Sequence, residues 1–152
     1  MGRLITQVDV PAGTCGNWKV EKKTISTLDA NVSAINSKGR YVPAGTYTFL
    51  YRGGTLVMSD TPDEMRDHTG IVHAAKGQVL IAGLGIGMVV QACLERTDFK
   101  ADLKPSKNPV YLVDKVTVIE KSPDVISLVG GHYRKKYGPR VEIIQADIFD
   151  WK

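Results

Sequence analysis

Three short apolar runs constrain the fold most: Gly77 to Val90 (GQVLIAGLGIGMVV), Val116 to Glu120 (VTVIE) and Val141 to Asp147 (VEIIQAD). Each ends at a glycine loop or an acid. Helical segments separate them, so the order is β-α-β-α-β. Right-handed crossovers make such strands parallel, with the ligand at their carboxyl ends. The fold class expected is therefore α/β: a partial Rossmann-like parallel sheet.

Strands are expected over 78–82, 115–119 and 141–145, with helices over 88–96 and 124–137. Gly138 and Pro139 end the second helix. Residues 98–114 read as a lysine- and proline-rich surface loop. Before residue 60 the chain is rich in Thr, Gly, Val and Tyr and lacks helical periodicity. Residues 18–25 alternate as a strand, and 27–36 form a short helix or a loop. Residues 41–51 and 55–58 form a hairpin about Gly53 and Gly54, which supply the positive φ of a tight turn. A small antiparallel β lobe thus precedes the parallel sheet. The domains expected are 1–60 for the lobe and 61–152 for the partial Rossmann-like unit. Between them, Thr61 is placed to cap a helix, Pro62 suits its first position, and Glu64 is the capping-box acid. Lys76 and Gly77 close that helix.

Composition narrows the class. At 43% apolar and 24% charged, the 152 residues have the balance of a soluble globular protein. The +4 charge is too slight and dispersed to argue for nucleic acid. The densest basic run, His132 to Tyr137, reads as the solvated end of a helix or a site for a phosphate or acidic partner. Cys15 and Cys93 have no metal or redox spacing, and Cys93 reads as a buried small hydrophobe. No run approaches the roughly 20 apolar residues of a membrane span, and no signal-peptide core opens the chain. A cytoplasmic location is the expectation, without membrane partners.

The glycines of Gly83-Leu84-Gly85-Ile86-Gly87 let the backbone turn off its strand, so that a ligand approaches main-chain N–H groups at a helix start. Glu120 offers two carboxylate oxygens to vicinal ribose hydroxyls. Asp147 is placed to bond an adenine amine. The G-x-G-x-G spacing departs from the G-x-G-x-x-G of nicotinamide binders and favours S-adenosylmethionine.

On these motifs, and on the segment Met58 to His68 before them, the chain from Tyr47 to Asp147 resembles class I S-adenosylmethionine-dependent methyltransferases, in the branch close to spermidine synthases. The resemblance implies S-adenosylmethionine as the ligand, with Gly83, Leu84, Gly85 and Gly87 around it. It implies Glu120 at the ribose and Asp147 near the adenine, with Lys121 and Ile148 as further ligand-binding residues. Methyl transfer to an unknown acceptor is the activity implied. Aminopropyl transfer, or a non-catalytic binding module, are the alternatives. Ile81 stands where methyltransferases carry an acid, and Ile86 where spermidine synthases carry an aspartate. Glu64, Asp67 and His68 are then the groups left to hold the amino-acid end of the ligand, and His68 is the candidate catalytic base. The family's sheet continues past the third strand, whereas this chain stops at Lys152. Strand 78–82 is therefore expected to lack a neighbour on one side, an association hazard for an apolar edge. A homo-oligomer, a partner that completes the sheet, a truncated fragment, or cover by the N-terminal lobe would each account for that edge.

Overall fold

The structure, a computed structural model, describes residues 4–36, 41–97 and 110–152. They form two sheets. The first is antiparallel, in the order β1 (Gly13–Cys15), β2 (Trp18–Ile25), β3 (Gly45–Arg52), β4 (Thr55–Ser59). The second is parallel, in the order β5 (Gly77–Ala82), β6 (Val113–Glu120), β7 (Val141–Gln145). Together they are the partial Rossmann-like α/β fold with a preceding antiparallel sheet.

The hairpin turns at Gly53 and Gly54, whose φ values of 54° and 81° place both in the left-handed region that glycine enters freely. Residues 27–36 are helical (α1, Thr27–Asn36). Helix α2 (Pro62–Ala74) opens with Pro62 in its first turn, but its capping lies two residues further out than the sequence suggests. Thr61 makes no side-chain cap bond. Its hydroxyl instead pairs with Ser59 Oγ at 2.9 Å, and the Glu64 carboxylate accepts from the Ser59 N–H. Arg96 closes the other end of α2, donating to the carbonyls of Val72 (2.8 Å) and Ala75 (2.9 Å), where a cation also meets the negative end of the helix.

Helix α3 (Met88–Glu95) is buried almost all round. The second crossover is an interrupted helix: Pro123–Val125, a π segment Ile126–Gly130, then Gly131–Tyr137. Ser122 Oγ caps it by accepting from Val125 N. Val79 and Ile81 of β5, Val116 and Val118 of β6, and Val141 and Ile143 of β7 turn to the helices. On the other face of β5, Gln78, Leu80 and Ala82 are exposed, Leu80 at 52%. Among the described residues no strand pairs with the outer edge of β5.

Residues 4–12 hold no regular element, yet they lie in the same core as the parallel sheet. Ile5, Val8 and Val10 are buried and join one cluster with Ile86, Val90 and Tyr133. Buried Asp60 fastens this segment, accepting from Val8 N (3.0 Å) and Thr48 N (2.6 Å). Gln91 of α3 donates to Thr6 Oγ and Gln7 O, each at 3.0 Å. The basic run at 132–137 serves the same purpose and is not a purely solvated helix end. His132 and Lys136 both pair with Asp9, at 2.9 and 3.3 Å. Burial opposes ionisation of Asp9, but the bonds from His132 and Lys136 outweigh it and hold the carboxyl below its ordinary range. Cys93 is fully buried, and burial pushes its thiol up. Of the loop expected over 98–114, residues 98–109 lie outside the described residues. Tyr111 forms an isolated antiparallel bridge with Thr97, and β6 already begins at Val113.

Candidate functional site

The glycine loop leaves β5 through three left-handed residues, Gly83 (φ 89°), Gly85 (54°) and Gly87 (75°). Their surroundings differ. A Cβ on Gly83 would meet nothing within 4 Å, whereas one on Gly85 would run into Met58 Sδ and one on Gly87 into the Tyr133 ring. Gly85 and Gly87 are thus needed for close packing as well as for φ, and Gly83 is the one that faces open space. Met58 Sδ also accepts from Ile86 N at 3.3 Å. Tyr133 donates its hydroxyl to Ile86 O at 2.7 Å.

The parallel register brings the acid to this loop. Pairing of Ile81 with Val118 and of Ala82 with Ile119 sets Glu120 one step past the end of β5. Glu120 Oε2 accepts from Leu84 N at 2.7 Å, and Oε1 accepts from Ser122 N at 2.8 Å. A carboxylate oxygen has two lone pairs, so each oxygen keeps one beyond these backbone bonds. At the end of β7, Asp147 pairs with Lys121 at 2.9 Å and turns the chain by accepting from Phe149 N at 3.1 Å. The bond to Lys121 holds the Asp147 carboxyl below its ordinary value and raises the lysine above its own. Ile148 follows in that turn.

The structure thus brings together Gly83, Leu84, Gly85, Gly87, Glu120, Lys121 and Asp147 at the carboxyl ends of the three strands. Glu64 and His68 stand apart on α2: Glu64 is taken up by the Ser59 N–H, and His68 is half-buried. Asp67 is exposed on the same helix. Among the described residues no group of His, Cys, Asp and Glu is arranged to hold a metal ion, and no helix is long and apolar enough to cross a membrane.

A cleft of about 470 Å³ opens beside Glu120. Glu120, Lys121, Ser122 and Asp124 form one wall, and Asn17, Trp18 and Arg52 of the antiparallel sheet form the other. It meets the motif residues only at Glu120 and Lys121. The wall from the antiparallel sheet was not legible in the sequence. Trp18 reads there as one more strand residue, and Arg52 as the flank of a glycine turn. Pairing of Trp18 with Arg52 across β2 and β3 is what sets them side by side.

Among solved structures, spermidine synthase from Thermotoga maritima is similar at 16% identity with a TM-score of 0.48, covering 91% of this chain and 41% of that one. The chain therefore spans about two-fifths of that structure's length. No family model and no curated protein matches the chain.

Proposed function

We propose that this chain binds an adenosyl sulfonium ligand of the S-adenosylmethionine type and serves group transfer from it, with methyl transfer the leading reaction. The observation that carries the reading is the Glu120 carboxylate, bonded to the glycine loop at Leu84 N and to its own turn at Ser122 N. Two backbone donors fix it beside the strand–helix turn, where vicinal ribose hydroxyls would find its remaining lone pairs. Gly83 leaves the backbone open to the ligand, Asp147 lies toward the adenine, and Lys121 and Ile148 flank the ligand beside Glu120 and Asp147. Methyl transfer from a sulfonium asks chiefly for alignment, and a base only where the acceptor must lose a proton. His68 is assigned that base, and Glu64 is assigned to the amino-acid end of the ligand. The unit 61–152 carries the ligand, and the lobe 1–60 covers it.

Isothermal titration with S-adenosylmethionine tests this directly. Micromolar binding is expected, and Glu120→Gln should weaken it about tenfold or more, as loss of a charged acceptor does. Absence of heat with the unmodified chain would remove the reading. Titration with decarboxylated S-adenosylmethionine in parallel separates aminopropyl transfer, which requires that ligand to bind more tightly. The unpaired edge of β5, with Leu80 exposed beside it, is assigned to pairing with a second copy or a partner strand. A monomer in sedimentation equilibrium at high concentration would exclude the second copy.

A further inference from the structure

The methionines among the described residues differ in how open they are and in what their sulfur meets. Met65 and Met88 are 7% and 1% exposed. Met58 is half-buried. It stands near the end of β4, the outer strand of the antiparallel sheet, and follows Leu56 and Val57, which are 51% and 48% exposed. Its sulfur also rests on the glycine loop. Met58 Sδ accepts from Ile86 N at 3.3 Å, and a Cβ on Gly85 would collide with it. A thioether is a weak acceptor, so this N–H is loosely held. Oxidation to the sulfoxide puts a polar oxygen on that sulfur. Three rotatable bonds let the side chain draw back to seat the oxygen against the same N–H, while the Tyr133 hydroxyl keeps hold of Ile86 O at 2.7 Å.

We propose that Met58 is a reversible oxidation site, and that its sulfoxide locks the Ile86 N–H and closes the glycine loop to its ligand. The oxidant is a hydroperoxide. The sulfur lone pair attacks the peroxide oxygen, an S–O bond forms as the O–O bond breaks, and with hydrogen peroxide the leaving group departs as water. The sulfur is oxidised by two electrons and the peroxide reduced by two. A thiol-dependent sulfoxide reductase reverses the change, two thiols becoming a disulfide and the oxygen leaving as water. Control of ligand binding rests on the adenosyl reading above; the site of oxidation and its hold on Ile86 do not.

Hydrogen peroxide is applied to the whole chain in a Cys15→Ser background, because Cys15 is a half-buried free thiol whereas Cys93 is fully buried. Peptide mass mapping should find Met58 oxidised about tenfold or more faster than Met65 and Met88. Amide exchange followed by NMR should slow several-fold at Ile86 in the oxidised chain, and a methionine sulfoxide reductase with dithiothreitol should restore the original rate. Oxidation of Met65 or Met88 as fast as that of Met58, or exchange at Ile86 that stays the same or quickens, would overturn the proposal. Titration with S-adenosylmethionine is read separately. Oxidation should weaken its binding about fivefold or more by the stronger acceptor to be displaced, and the same peroxide treatment should leave the affinity of Met58→Leu where it was. Equal binding before and after oxidation of Met58 removes the lock. No binding to the unoxidised chain removes the adenosyl reading instead, and the mapping and the Ile86 exchange still decide the oxidation site.

Discussion

Tyr133 and Met58 both close on Ile86 in the glycine loop, one on its carbonyl and the other on its N–H, and their chemistry differs. Tyr133 is fully buried, donates a strong hydrogen bond to the carbonyl, and fills the space a Cβ on Gly87 would need. Met58 is half-buried, and its thioether accepts weakly at 3.3 Å. A thioether on a side chain with three rotatable bonds is easily displaced, whereas a buried phenol leaves an unsatisfied carbonyl behind it. The loop therefore has one permanent wall and one that a ligand can replace.

The largest break in that contrast should come from Gly87→Ala. A left-handed non-glycine residue and a methyl group forced into Tyr133 should together cost about 3 kcal/mol, read as a lower urea midpoint. A loss below about 1 kcal/mol would show that Tyr133 yields as Met58 does. Tyr133→Phe should cost about 1–2 kcal/mol, because the Ile86 carbonyl loses a buried partner.

The same residue predicts a pH dependence. Burial pushes the Tyr133 hydroxyl far above the usual phenol range, with Asp9, Glu95 and Asp60 acting the same way. Tyr137 is raised too, by burial and then by its bond to Glu95. The folded chain keeps both protons where the unfolded chain releases them, above about pH 10. Their contribution to stability should thus be intact below that pH and fall as pH rises beyond it. In Tyr133→Phe only the Tyr137 share remains, so unfolding curves between about pH 8 and pH 11 should show a shallower decline. Parallel declines in both proteins would contradict the burial of Tyr133.

The smallest effect belongs to Met58→Leu. It conserves volume, so stability should change by less than about 1.5 kcal/mol. The Ile86 N–H is then free, and calorimetry should show S-adenosylmethionine binding a few-fold more tightly, by the weak acceptor removed. Unchanged affinity would place the ligand away from that N–H.

What the sequence disclosed follows the range of the forces involved. Residues 141–145 are a strand as read, α3 ends one residue short of expectation, and the hairpin turns where expected although its first strand begins at Gly45 and not at residue 41, because alternation, apolar runs and paired glycines are local signals. Glu120 was legible because its place follows from one strand end. The short strand β1 and the burial of Val8 and Val10 were not. Three alternating residues before a proline resemble any loop until Asp60 and Gln91, far along the chain, supply their bonds. Met58, Tyr133 and the Trp18–Arg52 pair escaped for the same reason: each matters through a partner that no local pattern names. The sequence signal at Glu64 was read two residues short, since a capping acid shows that a helix begins without showing which N–H it will hold.

The link from Asp9 to His132 spans 123 positions, and it has a consequence in time. A ribosome emits residues 4–12 well before the helix they rest on exists. Val10 must therefore wait, apolar and unhoused, while α3 and then the interrupted helix appear. Contacts of this separation slow folding, because the intervening chain must be closed before they reward it. The first segment of this core to be synthesised is thus among the last to settle, and until it does the nascent chain carries an exposed strip for which a chaperone can compete.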